Sequence, residues 1–127
     1  PMSERFGEVH GVDVSDAMIR MARERLREIP HAHAHVGSGA DLRQFADESF
    51  DFLYSYAVFQ HIPEREVVFR YLEDAARVLK PGGLMRFQAS NLDAERHAEA
   101  TWHGCNITAG ELRDYAARYG LRLLALE

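Results

Sequence analysis

One apolar and aromatic run, FDFLYSYAVF at residues 50–59, constrains the fold of this 127-residue chain more than any other feature. A strand of that composition is typical of a parallel sheet that helices cover on both faces. The run is therefore predicted to be a strand in the middle of such a sheet. The rest of the chain must then supply its neighbouring strands and its covering helices.

Three helices are predicted from capping residues and from apolar side chains at three- and four-residue spacing. The first spans residues 16–29 after a Ser15 cap and ends at a proline, and the second spans residues 63–80 and is stopped by KPGG. The third follows a Thr-x-x-Glu capping box that starts at Thr108, and it ends near Tyr119. The predicted apolar faces contain Met18, Met21, Ala22, Leu26 and Ile29 in the first helix and Val67, Tyr71, Leu72, Ala75, Val78 and Leu79 in the second.

Four further strands are predicted around these helices. Their sequences are EVHGVDV at residues 8–14, HAHAHV at residues 31–36, LMRFQA at residues 84–89 and LRLLAL at residues 121–126. Because strands and helices alternate along most of the chain, we expect an α/β fold with a mainly parallel sheet, in a single domain over residues 1–127.

The charge balance and the cysteine count exclude several classes of partner. Fifteen Lys and Arg residues against 20 Asp and Glu residues give a net charge of -5, so no nucleic-acid partner is predicted. Cys105 is the only cysteine, which rules out an intrachain disulfide and suits a reducing compartment. Because the apolar runs are far shorter than a membrane span, we expect no membrane association and a cytoplasmic location.

The alternating segment HAHAHV places three histidines, His31, His33 and His35, on one side if it is extended. Two interpretations are open: a metal site, or the exposed side of an edge strand. Because no carboxylate or cysteine lies beside the histidines in the sequence, the edge-strand interpretation is favoured. No metal is therefore predicted.

Asp13 ends its predicted strand with a carboxylate. Ligands bind at the carboxyl ends of strands in open α/β sheets, where an acid is well placed to accept hydrogen bonds from the hydroxyls of a ribose. That interpretation expects a glycine-rich turn about 20 residues upstream, and the printed sequence has none. Asp13 is therefore either a helix cap or half of a nucleotide site whose glycine-rich turn precedes the printed sequence.

Three segments together resemble the class I S-adenosylmethionine-dependent methyltransferases that act on small molecules. They are VHGVDVSDAMIRMARERL at residues 9–26, GADLRQFADESFDFLYSYAVFQHI at residues 39–62 and LEDAARVLKPGGLMRFQ at residues 72–88. The resemblance implies a Rossmann-like, mainly parallel sheet with the strand order 3-2-1-4-5-7-6. It also implies that this fold is incomplete here, because the family's first and last strands lie outside the printed sequence.

The resemblance also implies which residues bind S-adenosyl-L-methionine. Asp13 would bind the ribose hydroxyls, and Val14 and Met18 would flank the adenine, although Met18 could instead belong to the core. After the next strand the family often has Gly-Asp-Ala or Gly-Asn-Ala, whereas this chain has a serine at the polar position. The implied adenine contacts are therefore Ser38 and the backbone of Gly39 and Ala40, with Asp41 as a substitute acid.

Ser55 and Tyr56 end the strand that corresponds to the family's fourth strand, where the resemblance places the sulfonium and the methyl group. His61 is the candidate general base, because histidine changes its charge near neutral pH; the alternative is that His61 only closes the pocket. A small-molecule acceptor would be recognised partly by residues 90–106, which contain Trp102.

Two other functions compete with a methyltransferase. A nicotinamide-dependent reductase is disfavoured, because YLEDAARVLK lacks the Tyr-x-x-x-Lys spacing of such enzymes. The second is a catalytically inactive, methyltransferase-like module that serves as a binding or scaffold partner. An acidic, glycine-rich turn upstream of Pro1 would favour the enzyme.

The implied strand order leaves a gap in the sheet. The family's first strand lies between the strands that EVHGVDV and FDFLYSYAVF form here, so both would have an unpaired inner edge. We expect residues outside the printed sequence, or a neighbouring chain by strand swapping, to fill the gap. Otherwise the two strands would close up against each other. The oligomeric state is left open.

Overall fold

A computed structural model describes residues 1–91 and 104–126 of the chain. The chain divides into two compact units, Pro1–Gln44 and Phe45–Glu127. The single domain expected from the sequence stays a prediction. Within the described ranges, no helix is both long and apolar enough to cross a membrane.

The first unit is a two-stranded parallel sheet with one helix. After a 3-10 turn at Met2–Glu4 come β1 (Val9–Asp13), α1 (Asp16–Arg25) and β2 (Ala32–Val36). Strands β1 and β2 pair in a regular register that runs from Val9 opposite Ala32 to Asp13 opposite Val36. The two strands therefore end together at their carboxyl ends.

Helix α1 begins where the sequence predicts, because the Ser15 hydroxyl accepts a hydrogen bond from the Met18 N–H at 3.3 Å. It ends at Arg25 instead of Ile29, so the predicted C-terminus is wrong. The last predicted turn immediately precedes Pro30, and the residue before a proline disfavours the helical conformation. Residues 26–28 instead form a turn.

The apolar face of α1 also differs from the prediction. Ile19 is the buried residue of the helix, whereas Met18 and Met21 are each about half exposed. The alternative in which Met18 belongs to the core is therefore wrong for this unit. Helical spacing alone identifies a stripe of apolar residues but not which side of the stripe contacts the sheet.

The second unit contains a second pair of parallel strands, β3 (Phe50–Ser55) and β4 (Leu79–Phe87). A 3-10 turn at Phe59–His61 follows β3 and leads to α2 (Arg65–Val78). The last helix, α3, spans Ala109–Arg118.

Helix α2 ends at Val78, before the KPGG sequence, so this sequence does not stop the helix as expected. Residue Leu79 already pairs with Phe50 in the sheet, and pairing resumes with Leu84 opposite Phe52. The KPGG residues thus bulge out of β4. The bulge needs glycines: Gly82 has φ of 80°, and a Cβ at Gly83 would lie 2.9 Å from the Lys80 carbonyl oxygen.

The core of the second unit lies between α2, α3 and the turn after β3. Within α2 the buried residues are Val68, Leu72, Ala75 and Val78, so Val68 replaces the predicted Val67 on the fully buried face. The Tyr115 hydroxyl donates a hydrogen bond to the Leu72 carbonyl oxygen at 2.5 Å, and burial raises the pKa of Tyr115 well above its usual value. The central cluster is formed by Phe59, Val68, Leu72, Ile107 and Tyr115.

Helix α3 begins with the predicted capping box, which the structure confirms. The Thr108 hydroxyl accepts from the Glu111 N–H at 3.3 Å, and the Glu111 carboxylate accepts from the Thr108 N–H at 2.8 Å. Arg65 of α2 pairs with the same Glu111 carboxylate. Gly120, with φ of 65°, follows the end of α3 as predicted.

The predicted closing strand LRLLAL is wrong, because residues 121–126 form no strand. Leu121 instead donates its N–H to the Ala116 carbonyl oxygen at 2.8 Å and packs against the core cluster. A strand exists only where a neighbouring strand accepts its backbone hydrogen bonds, and no described strand pairs with this segment.

The described strands form two separate two-stranded sheets, β1 with β2 and β3 with β4. In the implied order, β1 and β2 correspond to the family's second and third strands, and β3 and β4 correspond to its fourth and fifth strands. The family's first strand is the central strand of that order. No described residues supply that central strand, and no hydrogen-bonded ladder joins β1 to β3. Strand swapping, or a strand from outside the printed sequence, stays a prediction. The segment with Trp102 lies outside the described residues.

The core cluster of the second unit predicts a large effect of truncating Leu72. Leu72 is fully buried, so Leu72→Ala should lower the free energy of unfolding by about 2–5 kcal/mol, through lost apolar contact and a residual cavity. Leu124→Ala is the matched control, because Leu124 is 63% exposed and should change stability by less than about 0.5 kcal/mol. Urea unfolding of the two variants measures the difference, and equal losses would contradict this core.

Candidate functional site

Asp13 is the last residue of β1, and its exposed carboxylate shapes the turn into α1. Its Oδ1 accepts a hydrogen bond from the Ser15 N–H at 2.8 Å, while its carbonyl oxygen accepts from the Gly37 N–H at 2.9 Å. The second bond holds the end of β1 beside the loop that follows β2. Asp13 is therefore fixed at the carboxyl edge of the first sheet, where ligands bind in α/β folds.

Ser15, not Asp13, is the N-cap of α1, and the Asp13 carboxylate instead accepts from the Ser15 N–H in an Asx turn, so a role in this turn stays open for Asp13. In the part of the chain that the structure describes, the Ser15 N–H is the one donor to this carboxylate. A carboxylate has about four lone-pair sites, so it retains capacity for two hydroxyl donors. This acceptor capacity fits the two hydroxyl groups of a ribose.

The loop after β2 holds the Ser38 side chain in internal hydrogen bonds. The Ser38 hydroxyl accepts from the Ala40 and Asp41 N–H groups, each at 3.1 Å, and donates to the Asp41 carboxylate at 3.0 Å. Asp41 in turn accepts from the Arg43 N–H at 3.3 Å. The side chains of Ser38 and Asp41 therefore build the loop itself, and the Ala40 N–H is already donated within it.

Gly39 brings this loop against the residue that follows β1. Its φ of 81° is in the left-handed region, and a Cβ at Gly39 would lie 3.2 Å from the Val14 Cγ1 atom. Val14 is itself largely exposed. The structure thus brings together Val14 and Gly39, two of the residues predicted to contact the adenine.

Met18 is 54% exposed on α1 and lines an open concavity of about 380 Å³ in the first unit. Asp13 lines the same concavity. The remaining surface is largely apolar, with Val9 and Val12 of β1 and Ala22 of α1 among its members.

In the second unit, Ser55 and Tyr56 follow each other at the carboxyl end of β3. Ser55 accepts a backbone hydrogen bond from the Gln88 N–H at 3.0 Å, and the Gln88 side chain accepts from the Ala57 N–H at 3.3 Å. Tyr56 is 66% exposed. Ser55 is therefore anchored to the segment after β4, while the Tyr56 ring is open to solvent.

Ala57 has φ of 56°, a left-handed conformation that costs a non-glycine residue about 1–2 kcal/mol. Strain of this kind is concentrated at functional sites, where surrounding contacts maintain it. Sequence reasoning did not find Ala57, because alanine is not a turn residue and carries no signal of this conformation.

His61 ends the 3-10 turn at Phe59–His61 and is exposed. Its Nε2 atom lies 3.1 Å from the Gln60 side-chain nitrogen. With the Gln60 amide as donor, Nε2 is the acceptor, and Nδ1 carries the ring proton of the neutral form. The base nitrogen of His61 is thus engaged by a neighbour in this conformation.

The histidines of β2 form a cluster that the sequence did not predict. His33 and His35 lie beside His10 of β1, with ring centroids 4.8 Å and 5.1 Å from the His10 ring. His31 lies apart from them and contacts the Ser3 carbonyl oxygen at 2.8 Å. Burial, followed by the charges of His10, His33 and Arg23, lowers the pKa of His35.

A carboxylate does lie beside these histidines, which corrects the observation made from the sequence. The Glu8 Oε1 atom is 3.1 Å from His10 Nε2 and 3.4 Å from His33 Nε2. Glu8 is 25 positions from His33 in the chain, and only the parallel register of β1 and β2 brings them together.

Known proteins provide an independent test of the resemblance. A family profile described as "Methyltransferase domain" matches residues 1–87. Phosphoethanolamine N-methyltransferase 2 of Caenorhabditis elegans is 39% identical over 84 residues, which cover 65% of this chain but only 18% of that protein. The printed chain therefore spans about a fifth of the length of this curated relative.

Two solved structures share the fold. The YcgJ protein of Bacillus subtilis superimposes with a TM-score of 0.72 at 20% identity, covering 93% of this chain and 54% of the other. Geranyl diphosphate C-methyltransferase of Streptomyces coelicolor, solved with S-adenosyl-L-homocysteine, gives a TM-score of 0.71 at 18% identity, covering 93% and 46%. These matches confirm the expected Rossmann-like α/β fold and its incompleteness in the printed sequence. The chain belongs to the methyltransferase domain family and carries part of its class I fold.

Proposed function

We propose that this chain is the cofactor-binding part of an S-adenosyl-L-methionine-dependent methyltransferase that acts on a small-molecule acceptor. The observation that carries the proposal is the Asp13 carboxylate at the carboxyl end of β1, beside the loop that follows β2. Its spare acceptor capacity suits the two ribose hydroxyls, and a charged acceptor strengthens both hydrogen bonds.

In the first unit, the adenine would lie against Val14 and Met18, whose exposed side chains offer apolar surface. Gly39 would let the base approach the backbone closely, because it has no Cβ. The internal hydrogen bonds of Ser38 argue against a side-chain contact from that residue, so its contribution is to hold the loop. Ala40 would contribute its carbonyl oxygen.

In the second unit, Ser55 and Tyr56 would contact the methionine portion of the cofactor. When bound, S-adenosyl-L-methionine would supply a methyl group on a positively charged sulfur. A nucleophilic atom of the acceptor would attack the methyl carbon in line with the departing sulfur. The acceptor gains the methyl group and with it the positive charge, which it loses as a proton where the methylated atom carries one, and the sulfur leaves as the neutral thioether. Holding the acceptor in line supplies much of the rate, since well-oriented reactants reach effective molarities of about 10⁵ M or more.

His61 would accept the released proton where the acceptor atom carries one. To do so, His61 must exchange its hydrogen bond with Gln60 for one with the acceptor. The alternative role is to close the pocket without a proton transfer. The two roles predict different changes in kcat and KM.

The acceptor is proposed only as a small molecule. The related proteins named above methylate nitrogen in one case and carbon in the other, so the nature of the accepting atom does not follow from family membership. Fold likewise does not fix function, because sites with different chemistry occur on the same fold.

A cytoplasmic location belongs to the same proposal. Cys105 is the only cysteine of the chain, which suits a reducing compartment. The net charge of -5 supports the absence of a nucleic-acid partner.

Replacing Asp13 tests the cofactor site. Asp13→Ala should weaken binding of S-adenosyl-L-homocysteine by about 1–3 kcal/mol, or roughly 5- to 150-fold in Kd, because two charge-assisted hydrogen bonds are lost. Asp114→Ala, which removes an exposed carboxylate in α3, is the charge-matched control and should bind normally. Calorimetric titration of the intact protein is the measurement. If the unmodified protein does not bind this ligand, the inactive scaffold module is supported instead.

Gly39→Ala tests the loop after β2 without changing a charge. The added Cβ disfavours φ of 81° by about 1–2 kcal/mol and presses on Val14, so affinity for S-adenosyl-L-homocysteine should fall roughly 5- to 30-fold. Gly110→Ala is the control, because Gly110 lies within α3 and its Cβ would meet only the Thr108 hydroxyl at 3.8 Å. Unchanged affinity in the Gly39 variant would remove this loop from the site.

His61→Asn separates the two roles of His61 through steady-state kinetics on any acceptor that the intact enzyme methylates. A general base predicts a fall in kcat of about 10²- to 10⁴-fold with little change in KM. A pocket-closing residue predicts a raised KM and a nearly constant kcat. His31→Asn, in the first unit, is the control and should change neither constant.

A further inference from the structure

One face of the β1–β2 pair carries a compact group of metal-binding side chains, Glu8, His10, His33 and His35. His10 and His33 are direct partners in the parallel register, and His35 stands two residues further along β2. Glu8 precedes β1 by one residue and reaches the same face. The group uses none of the residues proposed to bind the cofactor.

Two distances within this group are close to those around a tetrahedral metal ion. Bonds of about 2.0–2.2 Å from zinc to imidazole nitrogen and carboxylate oxygen put neighbouring ligand atoms about 3.3–3.6 Å apart. Glu8 Oε1 lies 3.1 Å from His10 Nε2 and 3.4 Å from His33 Nε2. One ligand atom from each of the three residues falls within 4.8 Å of the others, so the ligand atoms would draw closer together when an ion binds.

His35 supplies the outer contact that metal-binding histidines usually have. Its Nε2 atom lies 2.9 Å from His10 Nδ1. If His10 binds a metal through Nε2, its Nδ1 carries the proton and donates it in a hydrogen bond to His35. Such a contact fixes the tautomer and the ring orientation of the ligand.

We propose that Glu8, His10 and His33 bind one divalent transition-metal ion of the zinc type, with His35 positioning His10. Two imidazoles and one carboxylate favour such an ion over magnesium or calcium, which prefer oxygen ligands alone. With three protein ligands, the fourth position is open to water. Because Glu8 lies outside β1, the ion ties the segment before the strand to the strand pair and stabilises the first unit.

The surface arrangement has an ordinary alternative, in which the Glu8 carboxylate simply accepts hydrogen bonds from two imidazoles. The two interpretations differ in stoichiometry and in specificity. A built site binds one ion per chain and depends on each ligand. Scattered surface histidines bind ions weakly, and each of them contributes in a similar way.

Zn²⁺ titration of the intact, chelator-treated protein, prepared without a histidine tag, tests the site against a competing chromophoric chelator. We expect one Zn²⁺ per chain, a loss of affinity of more than about 100-fold in His33→Ala, and a loss of about 10- to 100-fold in His35→Ala. His31→Ala is the matched control, because His31 neighbours the same strand but contacts the Ser3 carbonyl oxygen instead. It should bind Zn²⁺ normally.

Glu8→Gln is a second ligand variant that should keep the fold, because the Glu8 side chain is 64% exposed. It therefore shows whether a loss of Zn²⁺ binding comes from the missing ligand or from misfolding. This variant should also weaken Zn²⁺ binding and reduce the rise in Tm that saturating Zn²⁺ produces. Co²⁺ as a probe should give the visible absorption of a four-coordinate ion, and this absorption should disappear in His33→Ala. Equal Zn²⁺ affinities in His33→Ala, Glu8→Gln and His31→Ala would overturn the proposal, as would a stoichiometry far below one.

Discussion

The parallel register of β1 and β2 is the constraint on which both proposed sites depend. At one end of the strand pair, Asp13 stands opposite Val36, and the hydrogen bond from the Gly37 N–H holds the following loop beside the carboxylate. At the other end, the same register places His10 next to His33. A shift by one residue would turn the side chains of one strand to the opposite face and dismantle both arrangements.

The sequence predicted features that short, local interactions determine. The Ser15 cap and the capping box at Thr108 involve residues three positions apart, so their partners can be identified in the sequence. The parallel class and the strand that starts at Phe50 followed from composition, although this strand ends at Ser55 and not at the predicted Phe59. The family resemblance followed from the order of several motifs. Asp13 was located by the same reasoning, because a strand end and a helix start are both visible in the sequence.

Features that depend on distant parts of the chain were not predictable in this way. The LRLLAL segment has the apolar residues of a strand, but pairing requires a neighbour that no described residues provide. The apolar stripe of α1 was found, yet the choice of Ile19 over Met18 as the buried residue depends on how the helix meets the sheet. The contact of Glu8 with His33 was likewise invisible before the strands were paired.

Ser90 and Asn106, which lie between β4 and α3, hold two points of the chain together. Ser90 and Asn106 form a backbone bridge, their side chains hydrogen-bond at 2.9 Å, and the Ile107 N–H donates to the Ser90 carbonyl oxygen at 2.8 Å. Ser90 and Asn106 are therefore held as fixed neighbours within the second unit. Doubling the length between such points costs only about 0.6 kcal/mol in closure entropy. The number of residues between these two points can therefore change at little cost to the fold of the second unit.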